Sequence, residues 1–232
     1  ARGFDTGMNR LGLKPDILET AGEALRKLAP VLVMSHLACA DEPDHALNAA
    51  QLRAFDPITS AFPDTPASLC NSAGCYLGKA YAHDLTRPGI ALYGGSVPPQ
   101  KVKLRHAVTL QAEILSVFKA KAGETVGYGA TFTVPEDMTL ATVGLGYADG
   151  MLRAASNKLT GWVDGVPCPV VGRISMDLIT LDVSKAQRAA KAGTRVEFLG
   201  SHAKLEEQAA RAGTLGYELL TGLGSRVERV YQ

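Results

Sequence analysis

The sequence predicts a partial parallel α/β unit followed by a mainly β domain. Three observations carry this. Residues up to about 97 alternate short apolar runs with helical stripes, the order of βα units. Beyond residue 98 the runs alternate apolar and polar, and Asp164-Gly165 sits between two of them as a hairpin turn. Between the halves, Gly94 to Gln100 carries two prolines and reads as the boundary, giving domains 1–97 and 98–232.

In the first half, Pro15 to Leu28 reads as a helix. Pro15 suits the first helical position, and Ile17, Leu18, Ala21, Leu25 and Leu28 form a stripe. Val31 to Leu37 is a short buried strand. Pro43 to Phe55 is a second helix with Ala46, Leu47, Ala50 and Phe55 inward. Ser68 to Ser72 is a strand, Ala73 to Ala82 a helix or turn, and Gly89 to Tyr93 apolar again. Three such units cannot close a parallel barrel, which needs eight, so the half reads as a fragment with an unpaired sheet edge.

In the second half, Leu104 to Phe118 has alternating stretches and Gly123-Glu124 turns the chain. Leu140 to Gly146 is a strand, and Trp162 to Val171 a hairpin. Leu178 to Val183 and Val196 to Leu199 add strands, Ala203 to Arg211 and Tyr217 to Leu223 are short helices, and Arg226 to Tyr231 closes as a strand. There is no internal repeat or low-complexity run.

Bulk properties exclude several classes. A net charge of +1 offers no field of one sign for nucleic acid or an anionic membrane. The longest apolar run, Thr139 to Gly146, is far too short to span a bilayer. Cys39, Cys70, Cys75 and Cys168 form no CxxC pair, and no histidine spacing suits zinc, so no metal is expected. Four thiols in 232 residues read as buried free cysteines in a reducing, cytoplasmic compartment.

The candidate chemistry lies at strand ends and glycine-flanked turns. Asp5-Thr6-Gly7-Met8-Asn9-Arg10-Leu11-Gly12 offers Arg10 as a carboxylate clamp, or is an ordinary loop with an exposed arginine. His36 ends a buried strand, where functional groups gather in parallel architecture, although a lone histidine there is more often structural. Asn71-Ser72 and Arg87-Pro88-Gly89-Ile90 supply a hydroxyl and post-glycine N–H groups suited to phosphate, or plain turn chemistry. Gly127-Tyr128-Gly129 and Gly146-Tyr147-Ala148-Asp149-Gly150 present phenols between small residues, and Ile174-Ser175-Met176-Asp177 follows a strand.

The order of these motifs from Asp5 to the C-terminus, with Arg-Pro-Gly-Ile-Ala-Leu-Tyr-Gly, Gly-Arg-Ile-Ser-Met-Asp and a late Gly-Tyr-Glu, resembles the alanine racemases. The resemblance implies the later part of a (β/α)8 barrel that holds pyridoxal 5'-phosphate, followed by a C-terminal β domain. It also implies a homodimer whose subunits share each active site, interconverting L- and D-alanine and supplying D-alanine for peptidoglycan. Tyr128 matches the tyrosine base that acts on the partner's cofactor. Arg10 and Met176 match substrate-carboxylate residues, and Arg87 matches the arginine at the pyridine nitrogen. Ser72, Gly89, Ile90 and Tyr217 match the phosphate cradle, and His36 the histidine between tyrosine and arginine. Tyr147 and Arg153 match the entrance, and Asp177 follows the substrate-binding methionine.

Two departures stand out. The family lysine that forms the Schiff base is expected upstream of Asp5, because no lysine of this sequence carries its motif. A second family lysine, which braces the Arg10 equivalent, is Gly3 here. The chain alone is therefore expected to be inactive. One rival reading is a non-catalytic cofactor- or phosphate-binding or truncated relative. Another is a β-barrel interaction module, which would not converge Arg10, His36, Ser72 and Arg87 at one edge. Nothing in the sequence separates alanine from serine as substrate.

Overall fold

The computed structural model describes residues 1–97 and 103–231. The chain divides into two compact units, Ala1–Arg105 and His106–Gln232. The expected boundary at 97/98 adjoins residues 98–102, which lie outside the described residues.

The first unit holds a three-stranded parallel sheet of β1 (Arg2–Gly3), β2 (Val33–Met34) and β3 (Ala67–Ser68), with β2 in the centre. Helix α1 (Ile17–Lys27) follows β1, and α2 (Ala46–Ala61) follows β2. The strands are shorter than their apolar runs. Beyond Ser35, whose N–H donates to Ser68 O at 3.0 Å, side-chain amides take over the backbone groups. Gln51 Nε2 donates to His36 O at 2.8 Å, Gln51 Oε1 accepts from Ala38 N at 2.8 Å, and Asn71 Nδ2 donates to Leu37 O at 3.3 Å. Two amides thus end the strand that the apolar run suggested would reach Leu37.

Helix α2 corrects the expected end at Phe55. It starts at Ala46, where His45 Nδ1 accepts from Leu47 N at 3.1 Å, and runs through Pro57 to Ala61. Pro57 removes one N–H bond, yet Asn48, Gln51, Phe55 and Ile58 form a buried stripe on both sides of it, and burial outweighs the lost bond. A turn of four residues, α3 (Lys79–Ala82), and a 3₁₀ turn at Ile90–Tyr93 complete the unit, the latter in place of the expected apolar stretch.

The second unit is a six-stranded antiparallel sheet. Its strands are β4 (Leu110–Ala120), β7 (Met138–Val143), β8 (Thr160–Val163), β9 (Val166–Pro169), β10 (Ile179–Asp182) and β11 (Arg195–Leu199), in the order β10-β7-β4-β11-β8-β9. A small hairpin of β5 (Thr125–Val126) and β6 (Phe132–Thr133) stands beside it. The two outer strands meet: Val170, next after β9, bridges Leu181 of β10, and Val171 N donates to Thr180 O at 2.9 Å. The sheet therefore closes on itself. Register shifts in β4 and β11 are the bulges such closure uses. Inside lie Ile114, Ala141, Val143, Val163, Leu181, Val196 and Phe198, all buried. Asp164 and Gly165 have φ of 49° and 74°, the left-handed pair that a two-residue hairpin requires.

Helices α4 (Leu205–Ala212) and α5 (Gly216–Thr221) agree with expectation. The closing strand does not form. Residues 226–231 bury too little to hold a ladder: Val230 and Tyr231 are exposed, and Arg226 turns back to pair with Asp149 at 3.2 Å. The cysteines also differ in part. Cys70 and Cys168 are buried, Cys39 is half-buried and Cys75 is exposed. Among the described residues no helix is long and apolar enough to cross a membrane, and no group of three His, Cys, Asp or Glu residues could hold a metal ion.

Because Phe198 fills the closed sheet with no exposure, Phe198→Ala should lower unfolding free energy by about 3–5 kcal/mol. Urea titration of the two chains measures this; a loss under about 1 kcal/mol would mean that the interior repacks.

Candidate functional site

In the first unit the carboxyl ends of the three strands carry the chemistry. The loop after β1 is built around Asp5, which is buried. Its Oδ1 accepts from Gly7 N at 3.0 Å and Asn9 N at 2.9 Å, and its Oδ2 lies 3.2 Å from Lys14 Nζ. The Asn9 and Gly7 bonds hold the carboxyl down to about 2 against the desolvation of its burial. Asn9 adopts φ of 54°, which turns the chain so that Arg10 leaves the loop exposed. Thr6 ties the loop inward: its hydroxyl lies 2.7 Å from Ser35 Oγ and 3.2 Å from Gln51 Nε2.

Arg87 is half-buried and fixed. Its NH1 donates to Ser68 Oγ, and its NH2 donates to Ser35 O at 2.5 Å. Ser68 Oγ donates onward to Leu85 O at 2.6 Å. The guanidinium thus spans the ends of β2 and β3, and burial draws its pKa below the ordinary value. It is no exposed turn residue.

His36 stands next to it, half-buried. Desolvation first, then the charges of Arg87 and Arg10, push its pKa below the ordinary range. The Asn71 amide adds a directional constraint. Its Oδ1 accepts from Gly74 N at 2.9 Å, so Nδ2 must face His36 Nε2, 3.4 Å away. An amide donor there requires an unprotonated Nε2, which places the imidazole proton on Nδ1. Geometry and electrostatics agree on a neutral ring.

Ser72 is buried, and its Oγ accepts from Gly89 N at 2.7 Å and Ala91 N at 3.4 Å. This holds Gly89 and the buried Ile90 against the end of β3. Arg10, His36, Ser72, Arg87, Gly89 and Ile90 therefore gather at one end of the parallel sheet, which an interaction module with a helical appendage would not require. Gly3, in β1, leaves open space: an added Cβ would meet nothing within 4 Å.

The second unit has a cleft of about 410 Å³ lined by Tyr128, Gly129, Tyr147, Arg153, Arg173, Ile174 and Ser175. Tyr128 follows β5 on a turn whose Gly129 has φ of 72°, and a Cβ there would lie 2.9 Å from Arg173 NH1. The loops at 146–148 and 175–177 are zipped: Tyr147 N donates to Ser175 O at 3.0 Å and Ala148 N to Met176 O at 2.8 Å. A Cβ on Gly146 would sit 2.4 Å from the Met176–Asp177 backbone, so only glycine permits this approach. Asp149 Oδ2 accepts from Gly146 N at 2.9 Å and fixes the first loop. Met176 and Tyr217 do not line the cleft. Met176 adjoins it through the zipped loop and is exposed, and Tyr217 lies on α5, also exposed.

Two family models match in tandem. The alanine racemase N-terminal domain matches residues 3–97, and the alanine racemase C-terminal domain matches residues 107–231. The chain belongs to the alanine racemase family. The alanine racemase of Methylobacterium nodulans is 49% identical over 231 residues, covering 98% of this chain and 62% of that protein. The catabolic alanine racemase of Agrobacterium fabrum is 45% identical over 235 residues, covering 98% and 60%. Among solved structures, the alanine racemase of Bartonella henselae with covalently bound pyridoxal phosphate superposes with a TM-score of 0.90 at 36% identity, covering 100% of this chain and 66% of that one. The chain spans about 62% of the length of the curated relatives it matches. Its first unit is the later part of the family's barrel, and its second unit is the C-terminal β domain.

Sequence reasoning missed Gln51, the fully buried amide that joins the Arg10 loop, the His36 carbonyl and α2. Its signal was present: a polar residue in the inward register of α2, between Leu47 and Phe55. Arg173 was also missed, although the motif around Met176 contains it.

A neutral His36 has a consequence for stability. The unfolded imidazole takes a proton near ~6.5, and the folded one resists until lower pH. Stability therefore falls as the pH drops below that value, and levels off once the folded ring is protonated. Titration of the His36 Cε1 resonance by NMR should give a midpoint below ~6.5, and Asn71→Ala should move it; a midpoint at or above that value would refute the neutral-ring geometry.

Proposed function

We propose that this chain forms the later barrel strands and β domain of a pyridoxal 5'-phosphate-dependent alanine racemase, which interconverts L- and D-alanine as a homodimer. The observation that carries this is the convergence of a fixed Arg87, a neutral His36 and a Ser72–Gly89 turn at the carboxyl ends of parallel strands in a chain of this family. On this reading the Schiff-base lysine would belong to the part of the relatives that this chain, spanning 62% of their length, does not match.

The residues present fit the cofactor. Ser72 Oγ, which accepts from Gly89 N, keeps its own hydroxyl proton to donate, and the Gly89–Ile90 backbone turns beside it, an arrangement that suits a phosphate. Arg87 would face the pyridine nitrogen. Tyr217 would complete the phosphate cradle, Tyr147 and Arg153 would line the entrance, and Asp177 follows Met176. The cofactor, when bound, supplies an electron sink for the charge left when the α-proton departs.

The chain's own groups do the rest. Racemisation removes the α-proton from one face and returns one to the other, so one base per face suffices: the lysine, and Tyr128. Tyr128 takes the proton of the L-enantiomer at its phenolic oxygen, acting in the partner subunit's site, with Arg173 and Arg153 as cations in its cleft. Arg10 and the Met176 backbone N–H hold the substrate carboxylate. Arg87 remains a cationic donor at neutral pH and does not give up its proton, so a ring nitrogen held against it would stay unprotonated. That limits delocalisation and favours return of the proton at carbon. His36, neutral and locked by Asn71, would stand between Arg87 and the tyrosine.

The same reading makes the enzyme a source of D-alanine for peptidoglycan. Among the described residues all four cysteines are free, which supports a reducing, cytoplasmic setting.

In the full-length parent, Tyr128→Phe should cut L-to-D racemisation by about 10²–10⁴-fold, measured by coupled assay. Mixed with a lysine-dead subunit it should restore activity in the heterodimer; no restoration would place the tyrosine in its own subunit's site. The 232-residue chain alone should not racemise, and turnover above buffer would overturn the assignment of the first base.

Arg87→Glu in the parent should slow racemisation and raise pyruvate formation from alanine, because a carboxylate favours a protonated ring nitrogen. Assaying both products decides it: wild-type racemisation without pyruvate would remove Arg87 from the site.

A further inference from the structure

Cys70 and Cys75 flank the turn that carries Asn71 and Ser72, and neither thiol has a part in the mechanism above. Cys70 is fully buried at the end of β3, and its Sγ donates to Tyr81 O at 3.0 Å. The chain then turns back on itself: Cys75 N donates to Asn71 O at 3.2 Å, and Cys75 Sγ donates to the same carbonyl at 3.2 Å. The bare Gly74 leaves room for the Cys70 sulfur beside the turn. A Cβ there would lie 3.1 Å from Cys70 Sγ and 2.8 Å from Leu37 Cδ1, so Cys70 sulfur rests against the backbone immediately before Cys75. The Cys75 thiol is exposed, and the pair is thus one buried sulfur and one accessible sulfur across a single tight turn.

We propose that Cys70 and Cys75 are a thiol–disulfide exchange site that takes low-molecular-weight disulfides of the glutathione class. In the first step the Cys75 thiolate attacks one sulfur of the disulfide RSSR. A Cys75–SR bond forms, the S–S bond breaks, and RS⁻ leaves with the electron pair. In the second step Cys70 gives up its proton and attacks the Cys75 sulfur, expelling the second RS⁻. Two protein thiols are oxidised to one disulfide, one RSSR is reduced to two RSH, and the two protein protons end on the released thiolates.

The order follows from the surroundings. Burial pushes Cys70 up to about 12, and the nearby Cys75 adds to this, so Cys70 is the poorer attacking group and acts second. Closing the bond removes both thiol donors from Tyr81 O and Asn71 O, and it pins the residues between. Asn71 orients His36 through the 3.4 Å contact to Nε2 and holds Gly74 through Oδ1, so the closed form must disturb the imidazole. This site is independent of the racemase reading, because its chemistry and its reporter both lie within the first unit of the chain.

The test uses the full-length parent with excess glutathione disulfide, followed by alkylation of remaining thiols after unfolding, trypsin and mass spectrometry. Both cysteines fall in the tryptic peptide 54–79, and Cys39 falls in another. The expected product is that peptide unalkylated and lighter by about 2 Da, preceded in time by a mixed disulfide at Cys75, with a displaced His36 NMR resonance. Cys75→Ser should abolish all three signals, and Cys39→Ser should abolish none. A reaction that stops at the Cys75 mixed disulfide, or an unreactive Cys75, would overturn the proposal. So would a bond from Cys75 to Cys39, or closure without movement of the His36 resonance. Should a Cys70 variant fail to fold, the unsubstituted chain still decides the matter.

Discussion

Arg87 reaches back to the Ser35 carbonyl and the Ser68 hydroxyl, and this one guanidinium organises the carboxyl ends of β2 and β3. Two-residue strands make few ladder bonds of their own, so their ends need another tie. A half-buried cation must in turn be met by acceptors, and here the acceptors are a backbone carbonyl and a serine. Burial first, and then this charge, disfavour a second positive group nearby and keep His36 neutral. Asn71 then has a ring nitrogen to donate to, and the Ser72–Gly89 turn follows from the same segment. Removing the guanidinium would loosen the strand ends and change the ionisation of the ring together.

The second unit solves a different problem. Its candidate site residues sit on loops, and loops alone hold positions poorly. Rigidity comes from the sheet beneath, closed through Val170 and Leu181, and from backbone contacts too tight for any side chain, as where Gly146 meets residues 176 and 177. Asp149 serves both ends of this arrangement: it caps the Tyr147 turn through Gly146 N, and it receives Arg226 from the chain's final segment. The segment read from sequence as a strand is instead a strap whose first residue is an ionic anchor.

Much of this was legible in the sequence, and the losses have physical causes. The βα order, the Asp164-Gly165 hairpin and the helices near the C-terminus follow from apolar spacing and turn chemistry, which are local. Strand lengths in the first unit were overread because apolar residues continue past the ladder while the amides of Gln51 and Asn71 take over the backbone groups. Those partners lie 13 to 34 residues away and leave no local mark. The end of α2 was underread because Pro57 is a strong local signal and burial of Ile58 a stronger non-local one. For the site, the order of motifs identified the strand ends that would gather, while Gln51 and Arg173 became visible only when the folded chain showed what they touch.

The closure of the second unit's sheet bears on how the two halves breathe. β4 is eleven residues long and hydrogen-bonded to β7 on one side and β11 on the other. Its amides can be released only by opening the whole ring, so their exchange with solvent deuterium reports the global stability of that unit. The parallel strands of the first unit pair over two residues each, and their amides open by local fluctuation. The residues proposed to hold the cofactor thus stand on the more plastic scaffold of the two, and a contact that arrives there, such as a bound phosphate, acts on the part of the chain with the most order left to gain.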